Sequence, residues 1–231
     1  LKNASLAIYT SDWAAKTAID HYGADPAKVK VVPYGANVTS RRTAADVAGF
    51  LGRRKGDVIR LLFVGVDWER KGGPIALKAA KQLNERGLKT ELHIVGCEVP
   101  GETPDFVIRH GFVSKKTAEG SALLDRLFAE SHFMIVPSRA ECFGLVFAEA
   151  SSFGLPSLAA ITGGVPSVVS EKNGMLFPLE AGGDAYADWI VRMMADREAY
   201  DRLAQDSLTE FDQRLNWDVA GAAVVDLMSK L

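Results

Sequence analysis

Ile59-Arg60-Leu61-Leu62-Phe63-Val64-Gly65 opens the part of the chain whose reading decides the fold. An apolar run closed by a glycine is what a strand buried on both faces requires. It passes through Val66-Asp67-Trp68-Glu69-Arg70-Lys71-Gly72-Gly73 into a helical pattern over Pro74–Arg86, with the proline in the first turn and Gly87 just past the end. Downstream, Leu92–Val95 reads as a second strand, ending at Gly96, and Phe106–Ile108 as a third. A helix over Ala122–Ala129, a strand over His132–Val136 and a helix over Leu145–Phe153, closed by Gly154, follow. Ser157–Ala159 and Val165–Val169 read as short strands, and Tyr186–Met194, Arg197–Asp212 and Val219–Lys230 as a helical tail. Strands alternating with helices over short connections predict an α/β fold, a parallel sheet covered by helices on both faces. In such sheets ligands bind at the carboxyl ends of the strands, which directs the search for chemistry.

Upstream the pattern differs. Ala4–Tyr9 is a short apolar run, and Ser11 or Asp12 is placed to cap a helix reaching His21. Val29-Lys30-Val31-Val32-Pro33-Tyr34-Gly35 reads as a short strand ending in a turn. Residues 39–57, polar and glycine-containing with Arg41-Arg42 and Arg53-Arg54-Lys55, read as a linker or mobile loop.

The 231 residues suit one large α/β domain with an attached segment, and 48% hydrophobic against 24% charged residues is an ordinary globular balance. The net charge of −2 gives no basic excess of the kind a nucleic-acid partner demands. Cys97 and Cys142 lack metal-ligand or CxxC spacing, so free thiols in a reducing, cytoplasmic compartment are expected. No apolar run approaches the ~20 residues that span a bilayer. Peripheral association with the inner membrane is left open. The chain starts at Leu1-Lys2-Asn3, without Met and without a secretory signal, which reads as a trimmed boundary.

Two segments carry candidate chemistry. Gly65 lets a ligand approach the strand end, and Arg70 and Lys71 lie just before a helix N-terminus, which favours anions. That combination suits a diphosphate, although a solvated loop with two surface cations has the same composition. It is neither a Walker loop nor GxGxxG. The second segment is Val136-Pro137-Ser138-Arg139-Ala140-Glu141-Cys142-Phe143-Gly144-Leu145-Val146-Phe147-Ala148-Glu149-Ala150. Glu141 falls in the loop at the presumed crevice. Phe143, Gly144 and Leu145 are expected to open the helix with free backbone N–H groups. Glu149 is a carboxylate among apolar neighbours and needs a partner. A ribose diol, the backbone or an arginine would each serve. Cys142 has no paired histidine, which argues against a thiol nucleophile. His110 is the one histidine near the inferred crevice, as a base contact or as a packing residue.

Glu141 and Glu149, with seven residues between them inside Pro-Ser-x-x-Glu-x-Phe-Gly-Leu-x-x-x-Glu-Ala, resemble the E-x7-E signature of retaining glycosyltransferases of family 4, also called group 1. Val64-Gly65 through Lys71-Gly72 is similar to that family's phosphate loop, and His93-Ile94-Val95-Gly96 to its second glycine-ended strand. Val107 through Gly111-Phe112-Val113 is similar to its nucleobase loop. Gly154-Leu155-Pro156, Gly163-Gly164-Val165-Pro166 and Asn173-Gly174-Met175-Leu176-Phe177 are similar to its later turns. The resemblance runs over nearly the whole chain.

It implies the Rossmann-like C-terminal half of a GT-B fold. Residues 1–37 would be the tail of an N-terminal acceptor domain and the connection from it, 38–214 the nucleotide-sugar donor domain, and 215–231 a crossover helix. It implies transfer of a hexose from a UDP- or GDP-linked donor to a glycan, lipid or small-molecule hydroxyl. No cofactor or metal is implied, and without the acceptor domain this chain is expected to be inactive alone. By the same resemblance Lys71, helped by Arg70, would neutralise the donor diphosphate beside Gly65, and Glu149 would hold the ribose hydroxyls. Glu141 and the amides of Phe143, Gly144 and Leu145 would meet the donor sugar and distal phosphate. The backbone near Arg109 and His110 would meet the base. Val66 stands where the family often has arginine, and Ser167 where it often has glutamate. Rival readings are a non-catalytic nucleotide-sugar-binding module and another enzyme of the same fold, such as a nucleotide-sugar epimerase. A phosphorylase would need a pyridoxal-phosphate lysine environment that the sequence does not show.

Overall fold

The computed structural model describes residues 3–38 and 40–231. Leu1 and Lys2, at the chain start, and Thr39, at the head of the expected linker, lie outside the described residues. The chain begins with a small unit: β1 (Ala7–Tyr9), α1 (Asp12–Tyr22) and β2 (Val29–Val31). The two strands pair in parallel. Ser11 caps α1 as its sequence suggests, its hydroxyl accepting from the Ala14 amide.

The expected linker over residues 39–57 is corrected: it contains α2 (Ala44–Arg53). Thr43 and Asp46 form a reciprocal capping box that fixes its start. Val47 and Leu51 are buried, and four residues of spacing put both on one face. Arg54 follows, fully buried. Its guanidinium donates to the carbonyls of Phe128, Ala129, Phe153 and Gly154, and so ties the ends of two later helices together.

The main sheet is built from β3 (Ile59–Val64), β4 (Thr90–Val95), β5 (Val107–Arg109), β6 (Phe133–Val136), β7 (Ser157–Ala160) and β8 (Gly174–Phe177). Its order is β5-β4-β3-β6-β7-β8, with every pairing parallel. Between the strands lie α3 (Gly73–Glu85), α4 (Ala118–Glu130) and α5 (Leu145–Ser152). After them come α6 (Gly183–Ala195), α7 (Arg197–Arg214) and α8 (Trp217–Met228). The order runs outward from β3 in both directions, so right-handed crossovers place α3 and α5 on opposite faces. In keeping with that, α3 packs on α6, while α5 and α2 pack on α7 and α2 also meets α4. Leu61, Leu62, Phe63, Phe133, Met134 and Ile135 are inaccessible at the centre, consistent with a sheet covered on both sides.

Two further expectations are corrected. Val165–Val169 is not a strand: Pro166 has no N–H to give a sheet, and Val165–Ser167 forms a 3-10 turn, with the Val168 amide bonded to the Val165 carbonyl. The Asn173–Phe177 segment, read as a turn, contributes strand β8 beyond a buried Asn173. That side chain donates to Val168 O and Ser151 Oγ and accepts from the Ser170 amide, so it closes the turn that delivers the strand. Among the described residues no helix is long and apolar enough to cross a membrane.

Candidate active site

The strand order reverses between β3 and β6, and the two loops that leave their carboxyl ends diverge there. A cleft of about 570 Å³ opens at this point. Its floor is Val64-Gly65 at the end of β3 and Val95-Gly96 at the end of β4. One wall is Phe112, Val113 and Lys115 from the loop before α4, with Leu124 and Phe128 of α4 behind them. The other wall is Glu141 and Gly144 from the loop after β6, followed by Leu145, Val146 and Glu149 of α5.

Lys71 reaches this cleft because of Gly65. A Cβ at Gly65 would stand 2.8 Å from the Lys71 Cγ, so the absent side chain is the channel through which the lysine stem passes. The ammonium donates to Glu141 Oε2. Both side chains are largely sheltered, 13% and 14% exposed, so the pair exchanges little with water. The Glu141 backbone is held from the other side, its carbonyl accepting the Gly164 amide at 3.2 Å.

α5 starts at the expected Leu145, with Phe143 and Gly144 outside it. Gly144 is the N-cap with φ 90°, a left-handed value that favours glycine, and the helix begins at Leu145. Leu145 and Val146 hold the first turn of the helix, while the Phe147 amide is already bonded to the Gly144 carbonyl at 3.0 Å. Gly144, Leu145 and Val146 line the cleft. Phe143 is buried away from it and meets the Tyr34 ring edge-on at 5.7 Å, while Tyr34 in turn meets Trp217.

Glu149 is 6% exposed and faces the cleft. Its carboxylate pairs with Lys115 Nζ at 2.5 Å. Burial pushes its pKa up from the usual carboxylate range, and the Lys115 ammonium acts in the opposite direction. The partner is thus neither backbone nor arginine but a lysine from the facing wall. Lys115-Lys116 stand just before the start of α4, as Arg70-Lys71 do before α3, but that placement alone does not mark Lys115 off from a surface lysine.

The remaining candidates stand beside the cleft rather than in its lining. Arg70 turns to Asp67 at 3.3 Å and donates to the Ala140 carbonyl, bracing the Glu141 loop. Arg109 is exposed at the end of β5. His110 lies 3.0 Å, Nε2 to Nδ1, from His93, whose other nitrogen faces Glu91 at 3.3 Å. The rings are within 12° of parallel with centroids 5.3 Å apart, the arrangement of an in-plane N–H···N bond. Burial holds both histidines below their ordinary pKa. Phe112, two residues on, is exposed at the cleft rim. Ser167, in place of the family's glutamate, bonds reciprocally with Asp12: its hydroxyl donates to the carboxylate and accepts the Asp12 amide.

A fold of this order with two lysine-paired carboxylates at its switch point defines a doubly wound α/β domain with a candidate ligand cleft, and comparison with known proteins narrows the class. The family model described as "Glycosyl transferases group 1" matches residues 58–196. The D-inositol 3-phosphate glycosyltransferase of Corynebacterium glutamicum is 28% identical over 240 residues, covering 97% of this chain and 57% of that protein. The protein of the same name from Geodermatophilus obscurus is 33% identical over 163 residues, 62% of this chain and 35% of the relative. Among solved structures, sucrose-phosphate synthase of Thermosynechococcus elongatus superposes with a TM-score of 0.76 at 24% identity, over 100% of this chain and 59% of its own. Anabaena HepE in complex with UDP-glucose gives 0.73 at 22%, over 99% and 64%. The chain belongs to the group 1 glycosyltransferases. It spans a little over half the length of the Corynebacterium glutamicum relative.

Proposed function

We propose that this chain is the nucleotide-sugar donor-binding part of a retaining, hexosyltransferase-type glycosyltransferase. The observation that carries the reading is the pair of sheltered carboxylates, Glu141 and Glu149, on one wall of a cleft at the switch point, each matched by a lysine from another loop. A nucleoside diphosphate supplies what the cleft lacks. Its ribose hydroxyls donate to Glu149, and its phosphates accept from Lys71 and from the first amides of α5. As the sugar leaves, negative charge grows on the departing diphosphate, and a fixed ammonium and helix N-terminus stabilise that charge. Lys71 and a helix start can carry this charge without a divalent cation, so binding is expected to be metal-independent. UDP is the first nucleotide to try, because the fold neighbour HepE was solved with UDP-glucose.

Residues 1–37 and 215–231 are assigned to the acceptor side and the crossover, and 38–214 to the donor domain. The exposed Trp13 and Tyr22 of α1, and Trp217, Val225 and Met228 of α8, support apolar contact with further chain, consistent with the longer relatives. The acceptor hydroxyl, on a glycan, lipid or small molecule, would be presented from there.

Calorimetric titration with UDP, GDP and ADP, with and without magnesium, tests the reading. One nucleotide should bind selectively and equally well in both conditions. Absence of binding by all three, in this chain and in a full-length enzyme carrying it, would refute it.

A further inference from the structure

The Lys115–Glu149 pair spans the cleft from wall to wall, from the loop before α4 to the inner face of α5. An ion pair exposed at both ends contributes little. Here only one end is exposed: the Lys115 side chain is 46% accessible, the Glu149 side chain 8%. A carboxylate so far withdrawn from water needs a donor or a cation to stay charged. Among the described residues Lys115 is the cation that makes a salt bridge to it. The other charged groups nearby are already committed. Asp125 of α4 lines the same narrow recess as Glu149 but is held by Arg42 at 2.7 Å. Lys71, on the floor of the cleft, is paired with Glu141. Within α5 itself the residues around Glu149 are apolar or small.

We propose that Lys115 is a positioning residue for the donor site: it keeps the Glu149 side chain an anion aimed into the cleft, and the two hydroxyls of a bound ribose take over that place. The inference rests on the donor-site reading for the second half and on the ion pair alone for the first. Its chemistry is simple. Two O–H donors bind well to a carboxylate and poorly to a carboxylic acid, which carries its own proton on one oxygen. Burial favours the acid, and the ammonium opposes burial. Removing the ammonium therefore raises the pH at which Glu149 takes up a proton. Below that pH the ribose can bind only as the proton leaves.

The test has two arms on wild type, Lys115→Met and Lys115→Arg. In the first, the Glu149 side-chain carboxyl is titrated by carbon NMR on glutamate-labelled protein, with no nucleotide. Its midpoint should rise by about one pH unit or more in Lys115→Met and stay near wild type in Lys115→Arg. In the second, UDP affinity is followed from pH 5 to 8. Relative to wild type at the same pH, which removes the titration of UDP itself, Lys115→Met should lose affinity by up to about tenfold per pH unit between the two midpoints, with an extra proton released on binding, while Lys115→Arg follows wild type. Equal midpoints in wild type and Lys115→Met overturn the proposal. A shifted midpoint with no matching loss of affinity overturns its link to the ribose. A wild-type protein that binds no nucleotide refutes the donor-site reading instead, and the carboxyl titration still decides what Lys115 does.

Discussion

Lys71 and Glu141 are ion-paired although 70 residues separate them in sequence, one in the turn after β3 and the other in the loop after β6. These are the two strands between which the chain order reverses, so the pair closes the crevice floor where a ligand would enter. Removing the ammonium in Lys71→Ala leaves a sheltered carboxylate alone and withdraws the proposed phosphate partner. Nucleoside-diphosphate affinity should fall about 10- to 100-fold, the equivalent of one charged hydrogen bond. Calorimetry measures this directly, and unchanged affinity would place the diphosphate elsewhere.

Gly65→Ala should reproduce much of that loss without touching a charge. The new methyl would meet the Lys71 stem at 2.8 Å and push it from its channel. The expectation is about a tenfold loss of affinity with a small change in thermal stability. A large drop in melting temperature with retained affinity would mean that the glycine serves packing alone.

Arg54→Ala should be among the most destabilising single changes. Four carbonyls at the ends of α4 and α5, all on buried residues, lose their donor together. A loss of roughly 3 kcal/mol or more is expected from urea unfolding. Arg54→Lys should recover only part of it, since an ammonium lacks the planar fork.

Stability should fall between pH 7 and 5 because of His132. Its Nδ1 accepts the Arg60 amide and its Nε2–H donates to the Arg54 carbonyl, so the buried ring is held neutral. Burial lowers its pKa from 6.5 to about 4. The unfolded chain therefore binds the proton first. The stability is complete above the unfolded value, is lost progressively as pH falls below about 6.5, and stops declining near 4. Over pH 7 to 5 this amounts to about 2 kcal/mol. Urea unfolding of wild type and His132→Gln at both pH values should show that the variant, less stable at pH 7, loses less on acidification. Equal losses would remove His132 from the account.

The parts of the fold legible in the sequence are those set by burial on two faces. The β3 run needs no neighbour to be recognised, and its observed span matches the expected Ile59–Val64. α2 was hidden because Gly49 and Gly52 interrupt its pattern and Arg53-Arg54-Lys55 reads as a solvated charge run. In the structure Arg53 and Lys55 are exposed and only the middle residue is buried. Composition cannot show which of three cations turns inward; that depends on carbonyls contributed by helices some 75 to 100 residues away. The site divides the same way. Glu149 drew notice as a carboxylate in an apolar helix, whereas Lys115, in a polar stretch, looked like any surface lysine until the two walls were placed opposite each other.

Under the proposed function, Glu149 reads a ribose. The most direct measurement compares the nucleoside diphosphate that binds best with its 2′-deoxy counterpart, on wild type and Glu149→Ala. Wild type should prefer the ribose form by about tenfold or more, and the variant should bind both alike, with the coupling read from the double cycle. A preference that survives in Glu149→Ala, or its absence from wild type, would contradict the account.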